Sequence, residues 1–346
     1  WDCRGTQLTK IYSKTLPTSL GWYYRSFTLF CGFDAYEGEG MLMGLAPYGK
    51  PNKRIARKLE KVLVWQKDSN GDFDFYVDPT FIYIGKMSKF SSKLTQKLLD
   101  LFGKPSKDSY DPDQYYKDIA FEVQRRLELT LLKFSERFLK QTGHHNLTLS
   151  GGVALNCKAS GYIWKKTKLL KGIYTIPFAA DDGIGVGACL CHLVENNNFK
   201  KKDFLLKDVY LGPSYKDKYI KNALDNFNLR PEYKSDIQYS SIAKSLNLPV
   251  RDIKKKVLNQ SLRSEVKSLI SKNTYKINDK KLPLEVATLL SQGKLVAWFQ
   301  GSMEAGPRAL GNRSILADPR SQESLDRVNR KVKFRQPWRP FCPSVM

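Results

Sequence analysis

Two segments in the middle of the chain share the same order of predicted elements: a short strand, a loop of small residues and a helix. The first runs through LTLSGGVALN at residues 147–156, and the second runs from GIYTIPF at 172–178 into AADDGIGVGACL at 179–190. This succession is typical of α/β folds, in which ligands bind at the carboxyl ends of parallel strands. The pattern predicts an α/β chain with a ligand site at the ends of these strands.

Both loops carry groups that suit a nucleotide. Gly151 and Gly152 allow backbone N–H groups to approach a phosphate, and the side chain of Asn156 can hydrogen-bond a phosphate or a ribose. Asp181 and Asp182 are adjacent carboxylates that suit a divalent metal or the ribose hydroxyls. A tight turn at the glycines and helix capping by the aspartates are the alternatives. Two such loops in one α/β domain favour the nucleotide site.

The end of the chain is a cationic block in which basic residues alternate with glycine, proline, serine and asparagine. The basic residues are Arg308, Arg313, Arg320, Lys331, Lys333, Arg335 and Arg339. Arginine makes bidentate contacts with phosphates and carboxylates, and Gly311 lets a ligand approach the backbone closely. The block is therefore predicted to bind an anion. Trp338 and Phe341 beside it are predicted to be core aromatics rather than platforms for nucleic-acid bases.

The chain has 346 residues and a net charge of +24. At about 150 residues per domain it should hold two domains, and the polar stretch ENNNFKKKDF places the boundary between domains 1–205 and 206–346. The charge has three explanations: a nucleic-acid surface, a polyanionic substrate such as ATP, or solvated lysines. The lysines are spread along the chain between apolar positions, so solvated lysine faces are the expected explanation for most of them.

Membrane and disulfide-rich classes are not indicated. No apolar run approaches the roughly 20 residues of a membrane helix, and the first residues, WDCRGTQLTK, lack the apolar core of a signal peptide. The six cysteines form no C-x-x-C pair, which argues against a zinc ribbon and fits a reducing, cytoplasmic compartment. Cys189 and Cys191 lie in an apolar helical run and are predicted to be buried.

Several segments together carry a family resemblance. They are SLGWYYRSFTLFCGF, GEGMLMGLAPYGKP, LSGGVALNC, IPFAADDGIGVGA, VYLGP, MEAGPRALGNRSILADPR and VNRKVKFRQPWRPFCPSV. The chain resembles the carbamoyltransferase family that includes the nodulation-factor, cephamycin and tobramycin O-carbamoyltransferases. The resemblance implies a partial actin-like ATPase-fold domain over 1–205, of the type shared with the enzyme that makes threonylcarbamoyl-adenosine in tRNA. It implies a YrdC-like α/β domain over 206–346.

The resemblance also implies a reaction. The YrdC-like domain converts carbamoyl phosphate to carbamate and joins it to ATP, which gives carbamoyl-adenylate and pyrophosphate. The other domain transfers the carbamoyl group to a hydroxyl of a sugar or natural-product acceptor, with the help of a divalent metal that is iron or magnesium-like. The alternatives are an enzyme of tRNA threonylcarbamoyladenosine biosynthesis and a non-catalytic nucleic-acid binder. Nucleic-acid and membrane partners are not expected, and a homodimer stays open.

Carried over residue by residue, the resemblance assigns roles to side chains of this chain. The implied catalytic groups are Arg308, Arg313, Lys333 and Arg335. The implied substrate and nucleotide contacts are Glu39, Gly151, Gly152, Asn156, Asp182, Ser314 and Arg339. Asp181 matches the family's metal-binding aspartate. The family's metal site also needs a histidine pair that would precede this chain, so the metal site and the first domain are expected to be incomplete and the fragment a poor transferase by itself.

Overall fold

The computed structural model describes residues 1–34, 38–84, 93–196, 206–216, 219, 233–234, 274–275 and 282–342. The chain divides into two compact units: the first holds Trp1–Lys207 and Asn329–Met346, and the second holds Asp208–Val328. The division after residue 207 lies close to the predicted boundary. Residues from 329 onward are grouped with the first unit, and the domain bounds 1–205 and 206–346 stay predictions.

Helices and short paired strands make up a mixed α/β structure. The helices of the first unit are α1 (Leu20–Phe30), α2 (Glu39–Leu45), α3 (Lys53–Val62), α4 (Gln96–Phe102), α5 (Gln114–Thr142), α6 (Cys157–Lys166) and α7 (Ile184–Glu195). Its strands are β1 (Asp2–Arg4), β2 (Gln7–Thr9), β3 (Leu63–Lys67), β4 (Phe73–Val77), β5 (Asn146–Leu149) and β6 (Gly172–Thr175). The second unit contains β7 (Tyr233–Lys234), β8 (Thr274–Tyr275), α8 (Leu282–Ser291), β9 (Val296–Phe299), β10 (Arg313–Leu316) and α9 (Gln322–Arg327). A π-helical turn over Val328–Lys333 follows α9.

Helix α1 places an aromatic face in the core of the first unit. Ser19 precedes it with an extended backbone, and its side chain accepts a hydrogen bond from the N–H of Trp22, which satisfies one donor at the helix start. Tyr23, Phe27 and Phe30 are fully buried, and their spacing puts them on one side of the helix. Each such ring contributes about 1.5–3 kcal/mol through burial.

Helix α5 is the long element on which α1, α2, α3 and α6 pack. It spans 29 residues and ends before Gly143. Gly143 has a φ of 72° and donates its N–H to the carbonyl oxygen of Leu139, a left-handed conformation that glycine adopts without steric cost. Ile119, Val123 and Leu127 lie on its buried face and join the same core as α1.

The sheets of the described residues have two strands each. Strands β5 and β6 are parallel, with Leu147 opposite Ile173, which confirms the order predicted for the middle of the chain. The other pairs, β1–β2, β3–β4, β7–β8 and β9–β10, are antiparallel. These small sheets agree with the α/β class, while the actin-like and YrdC-like assignments of the two domains stay predictions.

Helix α7 forms where an apolar helix is expected, but it lies at the surface. None of its 12 residues is buried, and Ile184 is 66% exposed. Cys189 and Cys191 are exposed, so the prediction that they are buried is wrong. Periodicity predicts a helix, whereas burial depends on what packs on it. No helix in the described part of the chain, α7 included, has the length and apolar character needed to cross a membrane.

Trp338 anchors the C-terminal segment in the first unit. Its ring is 6% exposed and packs against Phe33, with ring centroids 5.8 Å apart. Its indole N–H donates to the carbonyl oxygen of Tyr110 at 2.8 Å, and its own carbonyl accepts from the hydroxyl of Tyr48 at 3.0 Å. Trp338 is therefore the core aromatic that the sequence predicts. Phe341 is 39% exposed, so the same prediction for Phe341 is wrong.

Candidate functional site

The predicted anion-binding loop of the second unit, residues 301–314, is organised around a buried carboxylate. Glu304 is 5% exposed. Its Oε1 accepts hydrogen bonds from the backbone N–H groups of Leu310 at 2.8 Å, Asn312 at 2.7 Å and Arg313 at 3.0 Å. Its Oε2 accepts a hydrogen bond from Nε of Arg313 at 2.8 Å. One oxygen therefore closes the loop, and the other holds an arginine side chain.

The environment of Glu304 keeps it ionised. Burial raises the pKa of Glu304, but hydrogen bonds from Arg313 and from the loop N–H groups outweigh burial and hold the pKa well below the usual value of 4.5. Because the folded state has the lower pKa, the ionised carboxylate stabilises the fold at every pH above the unfolded pKa. This stabilisation is lost as the pH falls through the lower folded value.

Arg313 is held along one edge and open along the other. Its Nε and Nη2 donate to Oε2 and to the backbone carbonyl oxygen of Glu304, at 2.8 and 3.0 Å. Nη1 makes no hydrogen bond to any described residue, and the side chain is 34% exposed, so Nη1 faces solvent. A guanidinium has five N–H donors in one plane. The outer edge of Arg313 can therefore still donate to an anion.

Two further predicted contacts lie in the same loop. Arg308 is exposed. The hydroxyl of Ser314 accepts a hydrogen bond from the N–H of Gly311 at 3.2 Å, which leaves its own proton available to a ligand. Gly311 has a φ of 112°, a conformation that favours glycine. The loop thus presents two cationic side chains and a hydroxyl.

The other three predicted anion contacts belong to the first unit. Lys333 is exposed and Arg339 is half-buried. Nε of Arg335 donates to Oδ1 of the buried Asn329 at 2.7 Å, and Nδ2 of Asn329 donates to the carbonyl oxygens of Pro337 and Arg339 at 3.1 and 3.0 Å. Burial, and then the charge of Arg339, lower the pKa of Arg335. Arg335 therefore also shapes the C-terminal turn, a role that the sequence did not predict.

The loops after β5 and β6 lie side by side in the first unit. The N–H of Gly151 donates to the carbonyl oxygen of Ala179 at 2.7 Å, and Gly151 has a φ of 93°. A Cβ at Gly151 or Gly152 would meet no atom within 4 Å. The approach to both glycines is therefore open, although the Gly151 N–H is already engaged within the protein.

Asp181 and Asp182 are exposed at the end of the second loop. They begin the 3₁₀ turn Asp181–Gly183, and neither side chain caps this turn or α7. Gly183 is required there, because a Cβ would lie 2.2 Å from the carbonyl oxygen of Phe178. Within the described ranges no three His, Cys, Asp or Glu side chains come together. The described residues therefore do not complete a divalent-metal site around Asp181.

Asn156 is 8% exposed, and its side chain has partners within the fold. Its Oδ1 accepts from the N–H of Ala159, which caps α6, and from Nε2 of Gln124, both at 3.0 Å. Its Nδ2 donates to Oε1 of Gln124 at 2.9 Å. Gln124 also accepts from the hydroxyl of Tyr24 at 2.7 Å and donates to Glu128 at 2.8 Å. The nucleotide contact of Asn156 stays a prediction beside this structural role.

Replacing Asn156 with alanine should lower the free energy of unfolding by about 2 kcal/mol, because it removes a helix cap and both buried hydrogen bonds between Asn156 and Gln124. Asn52→Ala is the matched control. Asn52 caps α3 by accepting from the N–H groups of Arg54 and Ile55, and its loss should cost about 1 kcal/mol. Urea-induced unfolding at one temperature measures both. Equal losses would show that the pairing with Gln124 adds no stability.

Helix α2, which begins at Glu39, contacts two other predicted parts of the site. Glu39 is half-buried at the first position of the helix. Sγ of Cys157 lies 4.0 Å from Sδ of Met43, and Nε2 of Gln336 lies 3.8 Å from Sδ of Met41. The helix that carries Glu39 therefore touches both the start of α6 and the C-terminal turn.

Sequence reasoning missed the residues that hold these groups in place. Glu304 left a signal, because it is the single carboxylate within SMEAGPRALGNRS. Asn312 is 8% exposed, and its Nδ2 donates to the carbonyl oxygen of Ser302 at 2.7 Å, which closes the base of the loop. Gln124 left no local signal, since it is 32 residues from Asn156.

Comparison with known protein families gives two matches along the chain. Residues 3–190 match the family described as carbamoyltransferase N-terminus. Residues 287–346 match the family described as carbamoyltransferase C-terminus. The first match alone covers more than half of the chain, and the second contains the loop of Glu304 and Arg313.

Curated relatives point to the same family. The uncharacterized protein sll1178 of Synechocystis sp. is 33% identical over an alignment of 353 residues, which covers 100% of this chain and 49% of that protein. The nodulation protein NolO of Bradyrhizobium diazoefficiens is 29% identical over 342 residues, 99% of this chain and 51% of that protein. A 3'-hydroxymethylcephem-O-carbamoyltransferase of Streptomyces clavuligerus is 52% identical over 65 residues, 18% of this chain and 12% of that protein. The chain spans about half the length of the first two relatives. From these matches, the chain belongs to the carbamoyltransferase family of enzymes.

Proposed function

We propose that the protein is an ATP-dependent O-carbamoyltransferase that works through carbamoyl-adenylate. Water first cleaves carbamoyl phosphate to carbamate and phosphate. A carbamate oxygen then attacks the α-phosphorus of ATP, which gives carbamoyl-adenylate and pyrophosphate. Finally an acceptor hydroxyl attacks the carbamoyl carbon, loses its proton and displaces AMP. Carbamate is a poor and unstable donor, and adenylation turns it into an activated acyl group.

The outer edge of Arg313 is the observation that carries this proposal. Negative charge shifts among phosphoryl oxygens in the first two steps, and fixed donors aimed at such charge are often the largest catalytic contribution. Guanidinium groups donate bidentate pairs of hydrogen bonds to phosphates. Nη1 of Arg313, exposed Arg308 and the hydroxyl of Ser314 supply donors within one loop. The loop therefore suits the phosphoryl groups of carbamoyl phosphate or ATP.

The open loops of the first unit support binding of the nucleotide part. Gly151 and Gly152 present no Cβ to a ligand, and the space above them is clear for 4 Å. Asp182 is exposed on the neighbouring loop, where a carboxylate can accept hydrogen bonds from ribose hydroxyls. These groups are the proposed contacts of the adenylate.

A divalent metal is part of the chemistry that the family resemblance implies, where it would act as a Lewis acid in the transfer step. Asp181 is the one ligand that the resemblance assigns to this chain. No group of three His, Cys, Asp or Glu side chains surrounds it among the described residues. Those residues do not fit a metal by themselves, so the proposed steps use none.

Donor dependence tests the proposed function. The full chain, incubated with ATP, should release pyrophosphate when carbamoyl phosphate is added. Acetyl phosphate is the matched control, because it has the same phosphoryl group but yields no carbamate. Pyrophosphate release without carbamoyl phosphate, or no release with it, would contradict the proposal.

A second candidate is an enzyme of tRNA threonylcarbamoyladenosine biosynthesis. The net charge of +24 favours it, because a basic surface binds the phosphates of tRNA. Such an enzyme takes bicarbonate and threonine in place of carbamoyl phosphate. The pyrophosphate assay therefore separates the two candidates when these substrates are exchanged.

A further inference from the structure

The two carboxylate oxygens of Glu304 have separate partners. Among the described residues, Oε1 accepts hydrogen bonds from the backbone N–H groups of Leu310, Asn312 and Arg313. Oε2 accepts from Nε of the Arg313 side chain, and the backbone carbonyl oxygen of Glu304 accepts from Nη2 of the same side chain. The Arg313 guanidinium therefore donates two hydrogen bonds to the same residue, from the edge opposite Nη1.

We propose that Glu304 is a positioning residue for Arg313: it fixes the guanidinium so that Nη1 faces the anion. This inference rests on the proposed function, in which Arg313 binds a phosphoryl group. An unattached arginine side chain loses rotamer freedom when it binds an anion. Holding Nε and Nη2 in the folded protein removes much of this loss from the binding step, because the planar guanidinium then has one orientation.

A Glu304→Gln substitution separates positioning from closure of the loop. Glutamine keeps one carbonyl oxygen for the three backbone N–H groups that Oε1 binds. It places an amide NH₂ opposite Nε of Arg313, and two donors cannot bond to each other. The loop therefore keeps its acceptor, while Nε of Arg313 loses its acceptor and the side chain is held only by the bond from Nη2 to the backbone.

The direction in which Glu304→Gln changes the affinity for an anion distinguishes positioning from simple electrostatics. Glu304→Gln removes a negative charge next to an anion site, so electrostatics alone would strengthen anion binding. Loss of positioning weakens anion binding, because the guanidinium of Arg313 is then held by one hydrogen bond in place of two. Glu323→Gln is the matched control, since Glu323 is an exposed carboxylate of α9 and the substitution changes the net charge by the same amount.

Isothermal titration of the full chain with inorganic pyrophosphate measures this effect. We expect Glu304→Gln to weaken binding roughly tenfold, as loss of a charge-assisted hydrogen bond would. Glu323→Gln should bind like the wild type. Arg313→Ala should also weaken binding, and adding Glu304→Gln to Arg313→Ala should weaken it no further, because the two residues act as one unit.

The outcomes separate this inference from the proposed function. Unchanged or tighter binding by Glu304→Gln, with weak binding by Arg313→Ala, overturns the role of Glu304 and leaves the anion site standing. Absence of binding by the wild type, or full binding by Arg313→Ala, overturns the anion site and the role of Glu304 together. Arg313→Lys tests the positioning role with Glu304 intact, because lysine keeps the charge but lacks the planar guanidinium that Glu304 holds. Wild-type affinity of Arg313→Lys for pyrophosphate would also overturn the positioning role of Glu304.

Discussion

Arg313→Ala should abolish formation of carbamoyl-adenylate, a loss of about 100-fold or more that corresponds to roughly 3 kcal/mol of transition-state stabilisation. The reason is geometric as well as electrostatic. The guanidinium is held through Nε and Nη2, and Nη1 faces solvent at the open edge of the loop. Carbamoyl-phosphate-dependent exchange of labelled pyrophosphate into ATP measures this step without the acceptor.

Arg320→Ala is the control for this prediction. Arg320 belongs to the same cationic block and the same unit, but its charge is paired with the carboxylate of Asp318, to which its Nε donates at 2.9 Å, so the resemblance assigns it no role and it is not expected to bind the anion. Its removal should leave pyrophosphate exchange near the wild-type rate. If Arg313→Ala exchanges pyrophosphate as fast as Arg320→Ala does, Arg313 is not part of the adenylate-forming site.

Trp338→Ala should lower the free energy of unfolding of the first unit by about 3–5 kcal/mol, the usual cost of removing a buried aromatic ring. The substitution empties a core position beside Phe33 and leaves the carbonyl oxygen of Tyr110 without its indole donor. Urea-induced unfolding, followed at fixed temperature, gives the loss. Limited proteolysis should also cut the segment after residue 329 faster, because Trp338 anchors it.

Trp164→Ala removes the same side chain from an exposed position. Trp164 lies on α6 and is 49% exposed. Its removal should change the free energy of unfolding by about 0.5 kcal/mol or less, as is usual for surface substitutions. Equal effects of the two tryptophan substitutions would contradict the anchoring of the C-terminal segment by Trp338.

The local pattern of residues was sufficient to predict much of the secondary structure. Helix α5 shows a helical repeat of apolar residues and ends before Gly143, and both features can be read within one stretch of sequence. The pairing of β5 with β6 follows from the strand, loop and helix order, because a helical crossover brings parallel strands together. The family resemblance rested on the same loops and on the GPRALGNRS block, and the comparisons confirm it.

Burial and partner choice were harder to predict. Helix α7 has the composition of a core helix, yet none of its residues is buried among the described residues. Asn156 suits a nucleotide by residue type, but its amide pairs with Gln124 on a distant helix. Composition states what a side chain can do, whereas its neighbours decide which of these roles it takes.

The sequence by itself determined the family, the α/β class and the cationic loop with its two arginines, because each depends on residues close together in the chain. Only the tertiary structure decided that Trp338 packs with the first unit and that Glu304 holds Arg313 by one edge. Both outcomes depend on contacts that no periodic pattern of residues in the sequence indicates. A buried carboxylate and an indole take whichever donors and acceptors the folded chain brings to them.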